Sequence, residues 1–302
     1  MAGGCLFLIQ IHEAPVTSDP SRIVYLNGAY LPEAEAKVSI FDRGYLMADA
    51  VYEYTAVIEG KLLEFDAHIA RLQRSLDELQ IDMQVDREAL LAMHRSLISR
   101  NAIDVGGVYL QVSRGVADRD FVFPQSCEPT VMAFTQRLNF LDHPAIHSGL
   151  KVISVEDGRW ARPDIKTTQL LYTSMVKTQA QQRGAHDAIF VKDGFVTEAT
   201  SANLFIVKDG RLITHPGTRD ILHGVTRRAI LALAEDLDIP LDTRSFTLEE
   251  AQSADEVFMT ASPLYVLPVT TIDEVPVAQA APGAMAGKLR ARFLDAARSS
   301  AV

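Results

Sequence analysis

The sequence has 302 residues, which is enough for about two domains of roughly 150 residues each. Hydrophobic residues make up 48% and charged residues 23%, a balance typical of folded globular proteins, so wholesale disorder is excluded. With 29 Lys and Arg against 39 Asp and Glu, the formal net charge is −10, which makes nucleic acid and anionic membrane surfaces poor partners.

The sequence also constrains location and metal content. No apolar run approaches the roughly 20 residues of a membrane span, and no basic stretch precedes the apolar N-terminus as it would in a secretory signal. The two cysteines, Cys5 and Cys127, cannot form a disulfide framework, and no Cys/His spacing suggests zinc. We therefore expect a soluble, cytoplasmic protein without a metal site.

The first half of the chain is predicted to alternate short strands and helices. Asn27-Gly28 between two β-prone runs predicts a hairpin. A β-rich stretch over 51–58 turns at Glu59-Gly60, and a helix with one apolar face follows, with its N-cap expected at Asp66. The remaining predicted elements are a helix over 87–100 and strands over 108–113 and 130–135. Hairpins beside paired helices favour an α+β domain.

A polar segment divides the chain. Residues 137–150 contain Pro144 and Gly149 and show no periodicity, so we interpret them as an interdomain loop. This places a small α+β domain at 23–136 and a larger domain at 151–302.

The second half is predicted to form a sheet of short strands. A helix over 168–183 ends at Gly184, a residue that suits a helix C-terminus. Short strands joined by Asp-Gly turns then favour a meander or barrel-like sheet. The predicted strands are 188–191, 195–198, 204–207, 212–214, 256–261 and 266–272. Further helices are expected over 225–237, after the capping-box spacing at Thr247, and after Gly283.

Lys166 is a candidate for amine chemistry, in a sequence without a Gly-x-Gly-x-x-Gly, Walker or Gly-x-Ser-x-Gly motif. It ends an extended segment immediately before a predicted helix. A lysine in a sheet-lined cleft can lose its proton by desolvation and condense with an aldehyde. The alternative is a solvated surface charge, which is what most lysines are.

Glu198 leaves a predicted strand just before a small polar loop. A carboxylate at such a place can keep the ring nitrogen of pyridoxal phosphate protonated, and the protonated ring then withdraws electrons. The alternative is a surface glutamate in a hairpin loop.

A possible phosphate site opens the helix after His223-Gly224. Backbone N–H groups and the Thr226 hydroxyl at a helix N-terminus can bind an anion. Arg71, on the predicted helix that contains His68-Ile69-Ala70-Arg71-Leu72, could add positive charge. The alternative for the helix start is a simple N-cap, and the alternative for Arg71 is an ordinary residue on a polar helix face.

Six short motifs occur in an order that is informative as a set. They are Asp42-Arg43-Gly44-Tyr45, Val51-Tyr52-Glu53, His68-Ile69-Ala70-Arg71-Leu72, Asp164-Ile165-Lys166, Thr197-Glu198-Ala199-Thr200-Ser201-Ala202-Asn203 and Gly224-Val225-Thr226-Arg227. Together they resemble the fold-type IV pyridoxal-phosphate enzymes, the group of D-amino-acid and branched-chain aminotransferases and aminodeoxychorismate lyase. The resemblance runs from about residue 24 to 294, and residues 1–22 are expected to be an N-terminal extension.

The resemblance implies a two-domain α+β fold with the cofactor, pyridoxal 5′-phosphate, between a small N-terminal domain and a larger domain with a barrel-like sheet. It makes Lys166 the Schiff-base lysine and Glu198 the partner of the pyridine nitrogen. The residues implied for the phosphate are Arg71, Val225, Thr226 and Ser262. Leu222 is implied to pack on a face of the ring and Ser201 to lie near the cofactor.

The resemblance also implies a substrate site. Tyr52 matches a tyrosine that lines the substrate pocket. The segment 108–124 looks most like D-amino-acid aminotransferases, in which an Arg-x-His pair and a tyrosine grip the substrate carboxylate. Tyr109 and Arg119 match that pattern, but Phe121 stands where the histidine would be. This departure admits (R)-amine side activity.

The implied reaction is a ping-pong amino transfer from a D-amino acid to a 2-oxo acid such as 2-oxoglutarate or pyruvate, in a homodimer whose partner subunit helps close the site. The expected partners are therefore small molecules. Two relatives of the reaction remain as alternatives: an aminodeoxychorismate lyase-type elimination and branched-chain L-amino-acid transfer. The third alternative is a protein with this fold that binds its ligand but has no catalytic activity.

Overall fold

The computed structural model describes residues 21–262 and 264–302, which form two β-sheets with helices packed on both. The predicted N-terminal extension, 1–22, lies outside the described residues except for its last two positions. Within the described ranges, no helix is long and apolar enough to cross a membrane.

The first sheet has six antiparallel strands in the order β2-β1-β6-β5-β3-β4. In chain order they are β1 Ile23–Leu26, β2 Ala29–Pro32, β3 Ala50–Ile58, β4 Lys61–Leu62, β5 Gly106–Ser113 and β6 Thr130–Arg137. Asn27 and Gly28 connect the first hairpin with φ values of 45° and 92°, the left-handed conformations that a two-residue hairpin turn requires. The Asn-Gly hairpin is therefore confirmed.

Two helices, α2 Phe65–Glu78 and α3 Arg87–Arg100, pack against the first sheet through one apolar core. The short helix α1, Arg43–Met47, lies against the end of β5, with Gly44 beside Ser113. The apolar stripe of α2, which includes Leu72 and Leu76, packs into a core with β3 and β5. The prediction of an N-cap at Asp66 is wrong. Glu64, in a left-handed conformation, precedes the helix, and Asp66 lies in its first turn, where its charge suits the helix dipole.

The second sheet has nine strands in the order β12-β11-β10-β13-β14-β7-β8-β9, with β15 paired to β14. They are β7 Leu150–Glu156, β8 Asp187–Lys192, β9 Phe195–Ala199, β10 Asn203–Lys208, β11 Arg211–Thr214, β12 Leu241–Thr243, β13 Glu256–Ala261, β14 Tyr265–Ile272 and β15 Val275–Pro276. Its helices are α4 Ala145–Ser148, α5 Leu171–Gln182, α6 Val225–Asp236, α7 Leu248–Gln252 and α8 Ala284–Ser299. Thr247 caps α7 as its capping-box spacing predicts.

The two sheets share an apolar core. Ala56 and Ile58 of β3 pack in one cluster with Phe205, Tyr265 and Phe293 of the second half. The structure therefore holds the two sheets against each other, and the cavity between them has walls from both. The domain limits expected from sequence stay a prediction, with α4 lying inside the segment taken as the loop.

The segment before α5 joins the sheets. The prediction that the helix starts at Thr168 is wrong by three residues, because Thr167 forms an antiparallel bridge with Val51 and the Thr168 N–H donates to the Ala50 carbonyl. Those bonds keep 166–168 extended beside β3.

Candidate active site

A cavity between the two sheets brings together nine of the twelve site residues predicted from sequence. They are Tyr52, Arg71, Lys166, Glu198, Ser201, Leu222, Val225, Thr226 and Ser262. Residues from β3, α2, the extended segment at 166–168, β9, the start of α6 and the end of β13 thus converge, although Tyr52 and Ser262 are 210 positions apart in the chain.

Lys166 lies on the extended segment that pairs with β3. The Tyr52 N–H donates to the Lys166 carbonyl at 3.0 Å, and the Lys166 Nζ lies 4.1 Å from the centre of the Tyr52 ring. Among the described residues, no carboxylate lies within 4.0 Å of this amine. The amine therefore lines the cavity without a carboxylate partner among the described residues.

Glu198 is buried at the end of β9 and accepts hydrogen bonds on both oxygens. Asn203 Nδ2 donates to Oε2 at 2.9 Å and the Leu222 N–H donates to Oε2 at 3.1 Å, while Arg159 Nη1 donates to Oε1. Burial raises the pKa of Glu198 to about 7, and Arg159 and the backbone donor oppose that shift. Because every partner is a donor, the hydrogen bonds favour the carboxylate form and partly offset the effect of burial.

Arg159 is a site residue that the sequence reasoning missed. Its Nε and Nη2 donate to the two oxygens of Asp157 at 2.8 and 2.6 Å, and its guanidinium lies 4.6 Å from the centre of the Phe190 ring. Burial alone would lower the pKa of Arg159, but Asp157 and Glu198 raise it, so the group stays cationic. The local sequence, two charges around a glycine, gives no signal that this arginine would reach Glu198.

The N-terminus of α6 has the features of an anion-binding site. Gly224 occupies the N-cap position, and within the described residues no side chain caps the first turn, so its N–H groups are available to the cavity. A Cβ at Gly224 would lie 2.1 Å from the Asn203 Oδ1, so only glycine lets α6 start this close to the side chain that supports Glu198.

A buried network fixes Arg71. Its Nε and Nη2 donate to the two Glu53 oxygens at 2.8 and 2.7 Å, and its Nη1 donates to the His223 carbonyl at 3.2 Å. His68 Nδ1 lies 2.7 Å from Glu53 Oε2, and its Nε2 lies 3.3 Å from the Ser262 hydroxyl. Burial would raise the pKa of Glu53, but Arg71 and His68 lower it to about 2.

The sequence reasoning assigned no role to Glu53 and His68, although both lie within the motifs. Glu53 could have been found, because it is a charge within the otherwise apolar and aromatic β3 pattern and points to the face opposite Tyr52. A buried charge of this kind needs a partner, and α2 supplies two.

The three other predicted substrate residues do not line the cavity within a single copy of the chain. Tyr109 lies behind Tyr52, with ring centres 5.3 Å apart, and its hydroxyl donates to Gln111 at 2.8 Å. Arg119 and Phe121 are exposed on the loop between β5 and β6, with the guanidinium 5.3 Å from the ring centre. Their role in substrate binding stays a prediction.

The family is decided by comparison with known proteins. The family described as "Amino-transferase class IV" matches residues 50–272. This chain belongs to that family. It is also 38% identical over 273 residues to the D-alanine aminotransferase of Staphylococcus aureus (strain COL), covering 89% of this chain and 96% of the relative. The D-alanine aminotransferase of Bacillus licheniformis is 38% identical over 260 residues, covering 86% and 92%.

Solved structures agree on the fold. The branched-chain amino acid aminotransferase of Escherichia coli superposes with a TM-score of 0.86 at 22% identity, over 92% of this chain and 95% of that one. The holo, PLP-form enzyme of Thermobaculum terrenum gives a TM-score of 0.83 at 20% identity, over 93% and 95%. The predicted two-domain α+β fold of type IV is therefore confirmed. The family match and the 38%-identical relatives confirm the predicted aminotransferase class, so the chain is an enzyme of this class.

Proposed function

We propose that this enzyme transfers the amino group of a D-amino acid to a 2-oxo acid, with pyridoxal 5′-phosphate as cofactor. The observation that carries the proposal is the meeting of Lys166, buried Glu198 and the uncapped start of α6 in one cavity. The D-alanine aminotransferases that cover most of this chain at 38% identity support the choice of D-amino acids.

The cavity fits the cofactor. The phosphate would bind the N–H groups of Val225 and Thr226, the Ser262 hydroxyl and the edge of Arg71. Leu222 and Ser201, which also line the cavity, would contact the ring. Bound pyridoxal 5′-phosphate supplies an aldehyde that accepts the amino group and a ring that withdraws electrons from the carbon losing its proton.

The side chains have distinct tasks in this reaction. Glu198 would accept a hydrogen bond from the ring nitrogen of the bound cofactor and keep it protonated, and the donors on both Glu198 oxygens hold the carboxylate in place. Lys166 Nζ takes up the proton that leaves the substrate Cα, and the Tyr52 ring beside the amine restricts its position.

The substrate carboxylate is assigned to the loop that carries Arg119. Because this loop lies away from its own cavity, we propose that it closes the cavity of a second subunit in a homodimer. A guanidinium can hold a carboxylate by two hydrogen bonds without the histidine that Phe121 replaces. The cytoplasm is the proposed location, in line with a sequence of only two cysteines.

Replacing the reactive amine tests the function. Lys166→Ala should abolish amino transfer and the yellow colour of the cofactor-bound protein, because among the described residues no other lysine lines the cavity. Lys288→Ala, which removes an exposed lysine from α8, is the matched control and should leave both unchanged. Retention of colour and transfer in Lys166→Ala would contradict the assignment.

A substrate panel separates the alternatives. D-amino acids, branched-chain L-amino acids and (R)-amines should be assayed with 2-oxoglutarate and pyruvate as acceptors. We expect transfer from D-amino acids. Transfer restricted to branched-chain L-amino acids, or pyruvate release from 4-amino-4-deoxychorismate without an acceptor, would replace the proposal with one of its two alternatives.

A further inference from the structure

The cavity contains a hydroxyl that the proposed reaction does not use. Tyr54 of β3 lines the cavity, and its Oη is buried without a hydrogen-bond partner among the described residues. Thr260 Oγ1, also on the cavity wall, is in the same condition. Buried polar atoms nearly always have partners in folded proteins, so two orphaned hydroxyls in one cavity indicate a ligand that satisfies them.

The position of the Tyr54 ring is fixed by its neighbours. A Cβ at Gly107 on β5 would lie 2.3 Å from the Tyr54 Cε1 and 2.5 Å from its Oη, so the ring rests directly on the glycine backbone. Tyr109, the residue opposite Tyr54 in register, stacks between Tyr52 and Phe134 with ring centres 5.3 and 4.8 Å apart. This stack leaves the space over Gly107 as the place for the Tyr54 ring.

The location of Tyr54 suits a substrate side chain. Tyr52, two residues earlier on the same face of β3, contacts the Lys166 amine, and two residues of a strand span about 7 Å. The Tyr54 hydroxyl is thus displaced along the strand from the reacting atoms by about the length of an amino-acid side chain. Burial raises the pKa of Tyr54 to about 12, so the phenol keeps its proton and can donate it in a hydrogen bond.

We propose that Tyr54 is a specificity-determining residue whose hydroxyl donates to an oxygen at the end of the substrate side chain. The favoured substrates are then D-amino acids and 2-oxo acids with a side-chain carboxylate, over apolar substrates of the same length. This inference rests on the proposed function, since it concerns the substrates of the same cavity. The Thr260 hydroxyl, on β13 of the second sheet, adds another polar group to the cavity lining.

Two matched pairs of molecules test the proposal with the cofactor-loaded enzyme. Glutarate and pentanoate share a five-carbon chain and differ in one terminal carboxylate, as D-glutamate and D-norvaline do. Tyr54→Phe should weaken glutarate binding, measured by calorimetry, and kcat/KM for D-glutamate by about tenfold or more, because a hydrogen bond to a charged group is lost. Pentanoate and D-norvaline should change less than about twofold.

Tyr265→Phe is the control, because it removes another buried hydroxyl that has no partner among the described residues but does not line the cavity. Its glutarate-to-pentanoate binding ratio and its D-glutamate-to-D-norvaline ratio of kcat/KM should stay at their wild-type values. A Tyr54→Phe enzyme with unchanged ratios, or with equal losses for both members of each pair, would overturn the proposal. If the enzyme transfers no amino group from any D-amino acid, the proposed function fails, whereas the glutarate-to-pentanoate binding ratio still decides the role of Tyr54.

Discussion

The two faces of β3 carry different kinds of side chain. Glu53 points away from the cavity, is 2% exposed, and has Arg71 and His68 bonded to its two oxygens. Tyr52 and Tyr54 point into the cavity on the other face, where the Tyr54 hydroxyl lacks a partner among the described residues. Alternate residues of one strand thus separate a saturated polar network from a surface open to ligands.

The difference shows how this fold prepares a site for a charged ligand. Arg71 reaches the cavity from α2. Its hydrogen bonds to Glu53, on the side away from the cavity, fix the position of its guanidinium without a ligand. On the other face of β3, the Tyr54 hydroxyl has no hydrogen-bond partner among the described residues and is available to a substrate. Changes on the first face should therefore cost stability, and changes on the second should alter binding.

The largest expected effect comes from breaking the saturated face. Glu53→Gln removes the charge between Arg71 and His68 and leaves a buried guanidinium unpaired, so the free energy of unfolding should fall by about 3–5 kcal/mol. Urea unfolding of the cofactor-free protein measures this loss directly. Glu235→Gln, at an exposed position on α6, should change stability by less than about 0.5 kcal/mol.

The loss should depend on pH with a defined sign. The folded-state pKa of Glu53, about 2, lies below the ordinary glutamate value of 4.5, so its contribution is complete above about pH 4.5 and is lost as the pH falls toward 2. The stability difference between wild type and Glu53→Gln should therefore be constant near neutrality and shrink below pH 4.5. A difference that grows on acidification would contradict the network.

A smaller effect should follow from filling the space under Tyr54. Gly107→Ala places a methyl group 2.3 Å from the Tyr54 ring, which must move, so we expect a cost of about 1–3 kcal/mol in unfolding free energy. The displaced hydroxyl should also reduce the preference of the enzyme for D-glutamate over D-norvaline. Gly287→Ala on α8, where a Cβ has nothing within 4 Å, is the control. Unchanged stability in Gly107→Ala would show that the ring has room to spare.

β3 also shows how far the sequence alone reaches. Its β-prone residues and the Glu59-Gly60 turn predict the strand, and the helix at 87–100 has the predicted limits. The charge of Glu53 within the β3 pattern signals a buried group that needs a partner, but the sequence does not name that partner. The role of Arg159 was not predictable, because it depends on a carboxylate brought close only by folding. The prediction that a helix starts near Thr168 is wrong for the same reason, because backbone hydrogen bonds to β3 outweigh the local helix propensity there. Short-range patterns predict elements, whereas buried charge pairs depend on tertiary packing.

The smallest expected effect concerns the exposed loop beyond β5. Arg119→Ala should raise KM for D-amino acids by about tenfold, because a charged hydrogen bond to the substrate carboxylate is lost, and leave KM for neutral (R)-amines unchanged. Steady-state kinetics with both substrate classes measures the split. Arg183→Ala, which removes another exposed arginine, should alter neither value. Equal increases for both classes would remove Arg119 from the carboxylate site.

Hybrid dimers then decide which cavity the loop serves. A subunit with Lys166→Ala keeps Arg119, and a subunit with Arg119→Ala keeps Lys166. If the loop closes the partner's cavity, the mixed dimer contains one site with both residues, so KM returns to the wild-type value and kcat per dimer is about half. If the loop closes its own cavity, no site holds both residues and KM stays high. Recovery of KM would show that the loop carrying Arg119 in one subunit closes the cavity of the other.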